Sequence, residues 1–584
     1  MINKSKKFVY LKPLEKKRLK SIYLLSLFII FCLLGRVVNL QFFNAASLEA
    51  KARSNQIKTT DALYSRRSIV DRQNRLLAYD KSFYKLWAHP RYFNFPGDSS
   101  NQIRSIEEVV NRIAPILNIE KKIILSKFIN NYSGVKLVDD LTEEQAKEIK
   151  KLQISGLDLE SYSKRIYPQG NLFSNIVGFV NDENKGASGL ELHLDDQIKI
   201  HQKSSTLNEG ADGTPLPDNS GPNDFIKDDK NIVLTLDSRL QKIAFNALSK
   251  QVNKWDAKKG FAMVMNVNNG EILSLASYPS FDPNNFWQYD PELYKGWYSL
   301  DLFEPGSTFK PINLALALQE EAIMEDGIIL DEGKINIGGW TLFNWDKRGN
   351  GYIDYPKVLQ VSSNVAMVKI MQNVHPSIYW DWLIKLGINQ KIETDLFESN
   401  PGYIKSKDTF LNQPIEQATA SFGKGFSISP LKLAQLHAAI ANGGYEVTPH
   451  VTLDFQKGID LEEGKRYFSR DVTETVLSWM ESVVNEGSGI NAKIDGYRIG
   501  GKTGTSQKAI NGTYGDKKVC SFVATFPIDD PKYLVLVVID EPSPFGAYGA
   551  TVALPVAKEI MESLIVIEKV PPSTQGNKMI VKKQ

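Results

Sequence analysis

The sequence predicts an α+β fold: an antiparallel sheet covered by helices, set behind a mixed α/β region and one N-terminal transmembrane helix. Three observations predict it. A basic N-terminus runs straight into an apolar stretch, and the next portion mixes helical and strand periods. From Asn231 onward, strand-like runs sit at both ends with helical patterns between them. Strands far apart in sequence, separated by helices, assemble into a sheet that those helices cover.

The first twenty residues hold eight Lys or Arg and one acid, Glu15. Ile22 to Leu34 is apolar apart from Ser26, and Val37, Val38 and Leu40 extend it past Arg36. A hydrocarbon core of ~30 Å takes about 20 helical residues, which assigns residues 21–40 to the span, with Arg36 reaching the far interface. A cleaved signal peptide is the competing reading; no small-x-small site follows directly, and Asn44-Ala45-Ala46 comes too late. The positive-inside rule makes 1–20 a cytoplasmic tail and puts about 540 residues outside.

Residues 41–60 are polar and read as a stalk, and 61–225 as a mixed α/β domain. Within it Ile103 to Leu117 has helical spacing, and Thr142 is placed to cap a second helix. His201 to Lys230, rich in Gly, Pro, Asp and Ser, reads as a loop or hinge. Residues 226–567 form the next domain. Ile232 to Leu236 is strand-like, and Asp237 caps a helix to about Lys250. Phe261–Asn266 and Glu271–Ala276 flank Asn269-Gly270, a hairpin signal because such turns need positive φ. Pro430 to Ala441 is a helix stopped by Gly443-Gly444. Val519–Phe526 and Tyr533–Ile539 are strands, Val552–Ile567 is an apolar helix, and 568–584 is a frayed tail.

With 584 residues, 42% of them hydrophobic, the chain buries a large core, which excludes overall disorder. Seventy basic against sixty-seven acidic residues argue against nucleic acid as a partner. Two cysteines make no disulfide framework, and six scattered histidines show no zinc spacing. The chemistry is expected to use neither a metal nor an imidazole.

Three short motifs carry that chemistry. Pro305-Gly306-Ser307-Thr308-Phe309-Lys310 contains Ser-x-x-Lys. The same spacing recurs elsewhere, but Pro-Gly ahead of a helical run sets Ser307 in a first turn, where unpaired N–H groups favour negative charge. Lys310 then lies one turn along on the same face. A hydroxyl is a poor nucleophile until a neighbour takes its proton, and a buried lysine beside other cations can do so. Ser362-Ser363-Asn364 precedes an apolar run; it reads either as a helix cap or as a hydroxyl and an amide on a cleft wall. Gly500-Gly501-Lys502-Thr503-Gly504-Thr505 reads as a strand with one bare face, its glycines explained by an extended peptide approaching closely. Gly496 to Thr503 also matches a phosphate loop, but no helical pattern follows it.

In this order, Ser307/Lys310, Ser362/Asn364 and Lys502-Thr503-Gly504 resemble the penicillin-binding serine acyltransferases, which include the serine β-lactamases. The stretches Thr505 to Ala509, Ser521 to Ala524, Gly425 to Pro430 and Ala441 to Gly444 are similar to class B, high-molecular-mass penicillin-binding proteins. Ile69-Val70-Asp71-Arg72, Arg165 to Pro168 and Gly189-Leu190-Glu191 match that class's non-catalytic, dimerisation-like pedestal. Lys502 to Ala509 and the compact length lean toward the septal type over the elongation type. Two departures concern loop shape: Arg66 to Asn74 lacks both usual glycines, and Gly549-Ala550 stands where Gly-Gly is usual.

The resemblance implies a D,D-transpeptidase that cross-links peptidoglycan stem peptides through an acyl-enzyme on Ser307. Lys310 would take the proton, and backbone N–H groups of Ser307 and Thr505 would hold the oxyanion. Ser362 and Lys502 would deliver a proton to the departing D-Ala, whose carboxylate rests on Thr503 and Thr505 beside Gly504; Asn364 would bind a substrate amide. It implies no metal and no cofactor. The implied partners are stem peptides, lipid-linked precursor strands, β-lactams, a membrane glycan polymerase and division proteins, at the outer face of a bacterial cytoplasmic membrane. The rival readings are a β-lactamase or carboxypeptidase with water as acceptor, and a non-catalytic scaffold or β-lactam sensor.

Overall fold

The computed structural model describes residues 13–45, 57–59, 65–93, 105–129, 131, 133–200, 206–208, 230–396, 398–454, 464–510, 513–543 and 545–573. Two compact units are present, Met1–Tyr64 with His201–Lys227, and Ser65–Ile200 with Asp228–Gln584.

In the first unit a helix spans Pro13–Val38 and continues as a π-helical turn, Asn39–Phe43. It starts earlier than the expected 21–40, because Pro13 suits a first helical position and Leu, Glu, Lys and Arg after it are good helix formers. The stretch Lys17–Phe42 is long and apolar enough to cross a membrane, and none of it is buried. Ile57–Thr59 pairs antiparallel with Thr206–Asn208, so the expected His201–Lys230 loop contains a short strand. The rest of that loop, most of the expected stalk and the end of the tail lie outside the described residues.

In the second unit, Leu76–Ala88 is the hub of the N-terminal sheet. It pairs antiparallel with Leu157–Ile166, Val135–Leu141 and Ile69–Val70. Ile69–Val70 in turn runs parallel to Ile232–Val233; only these two residues of the expected Ile232–Leu236 strand join a ladder. The helix predicted over 103–117 spans Ile106–Leu117, with Ser105 Oγ accepting from the Glu108 N–H. Thr142 caps Glu143–Lys151 in a reciprocal box with Gln145, as its sequence spacing predicts.

The pedestal-like motifs, far apart in sequence, meet in one buried ion cluster. Glu191 is fully buried; its Oε2 accepts from Arg66 Nη2 at 2.7 Å and its Oε1 from Arg165 Nε at 2.7 Å. Arg165 Nη1 also reaches Asp80 at 3.0 Å, and Arg66 Nη1 reaches Asp195 at 2.6 Å. Burial pushes Asp195 up, but bonds from Lys199, Arg66 and the Gly186 N–H bring it down to about 2. A carboxyl held below its usual value stabilises the fold above pH ~4, and that contribution fades as pH falls toward 2. The glycine missing from this region has a substitute: Asn74 sits at φ +61°, a left-handed position that asparagine tolerates.

The C-terminal portion is built on a five-stranded antiparallel sheet, β1 (Lys259–Asn266), β2 (Ile272–Tyr278), β3 (Gly500–Ile510), β4 (Thr513–Phe526) and β5 (Tyr533–Asp540), in the order β2-β1-β5-β4-β3. Every residue of β5 is buried, and successive side chains serve two different cores. Leu534, Leu536 and Val538 join Phe261, Met263 and Met265 on one face. Val535, Val537 and Ile539 join Ala262 and Val264 on the other, under helices α1 (Ser238–Lys254) and α6 (Leu554–Glu568). The opposite face carries α2 (Lys310–Gln319), α3 (Asn364–Met371), α4 (Pro430–Ala441) and α5 (Arg470–Glu486). The predicted sheet from distant segments is thus present, and double coverage explains the unbroken apolar run of β5. The β1–β2 turn is longer than a two-residue hairpin: the Gly270 N–H donates to Asn266 O, and only Gly270 of the Asn-Gly pair is left-handed, at φ +80°.

Candidate active site

Ser307 lies in a short 3-10 turn, Gly306–Phe309, that leads into α2. Gly306 adopts φ +57°, and its N–H donates to Gly423 O at 2.9 Å. A Cβ on Gly423 would stand 2.1 Å from Gly306 O, so two glycines back to back let the turn sit where it does. Beneath it, buried His437 on α4 donates from Nε2 to Thr308 O at 2.8 Å. Burial brings that imidazole down to about 4, despite the opposing pull of the Thr308 carbonyl, so it stays neutral and braces the turn.

Lys310 is fully buried, and its ammonium donates to Ser362 O at 2.6 Å, Ser362 Oγ at 3.2 Å and Asn364 Oδ1 at 2.9 Å. Its three N–H donors are therefore directed at the Ser-x-Asn motif, and no hydrogen bond joins it to Ser307, the expected partner. Ser362 can present both oxygens because it occupies the left-handed region, φ +57°, at the end of helix Tyr355–Val361. Ser362 Oγ also accepts from Lys502 Nζ at 3.0 Å. Two ammonium groups on one hydroxyl do not both keep their charge comfortably. Burial drives Lys310 well below the ordinary lysine range, with Lys502 repelling it and Asp331 pulling the other way. Burial alone brings Lys502 down to about 7. An amine so placed can accept a proton from a hydroxyl near neutral pH.

Both readings of Ser362-Ser363-Asn364 hold at once. Ser363 Oγ caps α3 by accepting from the Ala366 N–H, while its neighbours on either side face the lysines. The loop is held by a residue the sequence did not reveal: Asn344 Oδ1 accepts from Ser363 Oγ and from the N–H groups of Asn364 and Val365. Asn344 Nδ2 in turn donates to both oxygens of buried Asp331, at 2.8 Å each. Asn364 Nδ2 donates to Phe343 O, which leaves one N–H and one acceptor lone pair for a ligand amide.

Lys502-Thr503-Gly504-Thr505 lies in β3, an edge strand that runs on to Ile510. A phosphate loop would open a helix there, so that reading fails. The bare face of β3 has a different cause from the one expected. A Cβ on Gly504 would stand 2.4 Å from Ser521 Oγ and 2.9 Å from Thr308, and one on Gly501 2.9 Å from Phe522. The glycines admit the Ser307 turn and the core, and the outer edge of β3 pairs with no strand among the described residues. Thr503 Oγ1 pairs with Ser488 Oγ at 2.9 Å, and Thr505 Oγ1 accepts from the Gly549 N–H at 3.0 Å. Gly549 must be glycine because a Cβ would lie 2.5 Å from Gly504 O. Ser307, Ser362, Asn364, Thr503 and Thr505 all line one cavity of about 1100 Å³, with the Trp345 and Tyr548 rings 6.0 Å apart on its wall.

The family model of the penicillin binding protein transpeptidase domain matches residues 260–562, and that of the penicillin-binding protein dimerisation domain matches 63–220. The chain is 36% identical to the "Peptidoglycan D,D-transpeptidase FtsI homolog" of Mesostigma viride, covering 93% of this chain and 94% of the relative. It is 31% identical to "Stage V sporulation protein D" of Bacillus subtilis (strain 168), covering 94% and 85%. It is 30% identical to "Peptidoglycan D,D-transpeptidase FtsI" of Escherichia coli (strain K12), covering 94% and 91%. A solved peptidoglycan synthetase from Bifidobacterium adolescentis ATCC 15703 shares the fold, with a TM-score of 0.64 at 23% identity over 88% of this chain and 97% of that one. With a transpeptidase model over more than half of its length, a dimerisation model ahead of it and relatives matched almost end to end, the chain belongs to the class B penicillin-binding proteins, the peptidoglycan transpeptidases.

Proposed function

We propose that Ser307 is the acylated nucleophile of a septal D,D-transpeptidase and that Lys310, Ser362 and Lys502 form its proton path. Ser307 Oγ attacks the carbonyl of the penultimate D-Ala and passes its proton to neutral Lys310. The proton moves through Ser362 to the departing D-Ala nitrogen, and the amine of a second stem peptide then attacks the ester and restores the serine. Asn364 orients the donor amide, Thr503 and Thr505 take the terminal carboxylate, and Gly504 lets the strand close on the nucleophile turn. The observation that carries this reading is the single Ser362 hydroxyl bonded to two buried lysines, Lys310 and Lys502, both held below their usual range.

Acylation needs Lys310 uncharged, so its rate rises with pH through a limb that lies well below 10.5. Lys502→Met removes a repelling cation, which makes Lys310 easier to protonate and moves that limb to higher pH. Stopped-flow acylation by a fluorescent penicillin across pH reads the limb; one that stays put or moves down excludes this coupling.

The test of the reaction itself is a donor peptide ending D-Ala-D-Ala, with and without an amine acceptor. Cross-linked product should dominate when the amine is present, and the penicilloyl adduct should hydrolyse slowly. Rapid turnover of penicillin with only hydrolysed peptide would instead make the protein a carboxypeptidase or β-lactamase.

The septal role is supported by the relatives named FtsI. Within this reading 1–20 is cytoplasmic, 21–40 anchors the protein in the cytoplasmic membrane, and 226–567 catalyses outside it. The 61–225 domain then serves as a pedestal that meets division proteins and the membrane glycan polymerase. Filamentous cells on depletion fit the septal assignment, and rounded cells an elongation role.

A further inference from the structure

Three lysines that line the cleft, Lys347, Lys424 and Lys518, have no part in the mechanism, and Lys424 is the one whose loop is bonded to the Ser307 turn. Lys424 lines the same cavity as Ser307 and sits between two left-handed glycines, Gly423 and Gly425, at φ +79° and +81°. The bond from the Gly306 N–H to Gly423 O ties this loop to the nucleophile turn, and the Lys424 N–H donates to Thr419 O at 3.0 Å. The lysine is therefore placed by the same hydrogen bonds that place Ser307.

Its charged end has an aromatic bed and, among the described residues, no ion pair. The ammonium lies over the face of Tyr514, 4.2 Å from the ring centroid. Glu304 holds that ring: its carboxylate accepts from Tyr514 Oη at 3.0 and 3.1 Å and from the Gly425 N–H at 2.9 Å. With those bonds made, Glu304 attracts Lys424 only at longer range, and among the described residues Lys424 makes no ion pair and donates no side-chain hydrogen bond. Burial lowers its pKa, with Glu304 opposing the shift. A half-buried ammonium with three N–H donors unspent on the protein, facing a cleft, is available to an anion that docks there. Around the cavity Lys347, Lys424 and Lys518 stand against Asp346 and Glu486, which leaves the wall net positive.

We propose that Lys424 is a carboxylate subsite, reading a second acidic group on the stem peptide upstream of its D-Ala-D-Ala end. The inference rests on the transpeptidase reading of the cleft. The terminal carboxylate is assigned to Thr503 and Thr505 on β3, so Lys424, on the loop bonded to the nucleophile turn through Gly423 and resting on Tyr514, meets a different part of the donor. A carboxylate fits better than a point anion, because the cleft accepts an extended peptide along the β3 edge and the Tyr514 face leaves the ammonium one open side.

The test compares two donor peptides that differ only in a free carboxylate or a carboxamide upstream of D-Ala-D-Ala, using the full-length protein in detergent. D-Ala release should favour the acid about 10- to 100-fold, mainly through KM, the worth of one charge-assisted hydrogen bond. In Lys424→Gln that acid-to-amide ratio should fall to about one, and in Lys424→Arg most of it should return. A ratio taken within one protein is independent of the fraction folded. Equal turnover of both donors by the native protein, or a preference that survives Lys424→Gln, overturns the subsite. Failure of the native protein to be labelled by a fluorescent penicillin would instead overturn the transpeptidase reading on which it rests.

Discussion

A Ser307→Ala variant is expected to lose covalent labelling by a fluorescent penicillin entirely, while unfolding within about 0.5 kcal/mol of the native protein. The Ser307 hydroxyl is partly exposed and holds up no hydrogen bond among the described residues, so the turn does not need it. The bonds that set the turn belong to its neighbours: Thr308 Oγ1 to Pro305 O, His437 to Thr308 O, and Gly306 to Gly423. Chemistry has no such reserve. In the proposed mechanism there is no acyl-enzyme without the oxygen, and removal of the catalytic serine of a serine protease costs about 10⁶ in kcat. Gel fluorescence after penicillin labelling, with thermal unfolding of the same samples, gives both numbers. Labelling of the alanine variant at the native level would remove Ser307 from the mechanism.

The second large effect is on stability and lies away from the cleft. Glu191→Ala is expected to cost about 3–5 kcal/mol, because it strands two buried guanidiniums, Arg66 and Arg165, whose shared counter-charge it removes. Asp80 and Asp195 each reach one arginine and soften the loss without cancelling it. Replacement of exposed Glu183, which pairs with Lys185 at the surface, should cost far less, because water screens an exposed pair. Urea unfolding of the two variants side by side makes the comparison. A Glu191→Ala loss no larger than that of the Glu183 variant would mean that the cluster holds nothing together.

What the sequence revealed about this molecule was chiefly local. Caps at Thr142 and Asp237, the helix Pro430–Ala441 and the strands of the sheet follow from residues a few positions apart. The three motifs proposed to carry the chemistry were legible because each is a short run with its own turn chemistry. Asn344, Asp331 and His437 were not, since each acts on a motif, directly or through another side chain, by a contact that skips many residues. His437 in particular reads as one polar residue in an apolar helix; its partner, the Thr308 carbonyl, is 129 positions away. The β3 glycines show the same limit. Their need for space was plain, but the occupants of that space, Thr308 and Phe522, come from other elements. The amine of Lys310 spends its hydrogen bonds on Ser362 and Asn364 for a related reason: the left-handed turn at Ser362 brings two oxygens to it, and helical spacing alone does not foresee a competitor from residue 362.

The central strand of the sheet is also among the last to be made. β1 pairs with β5, which follows it by roughly 270 residues, about 13–50 s at ordinary rates of synthesis. Until then the β1–β2 hairpin has apolar side chains on both faces and one ladder unfilled. Nascent chains therefore pass through an interval in which a sticky edge awaits its mate, and a ribosome that stalls before Tyr533 leaves behind a product with no sheet to complete.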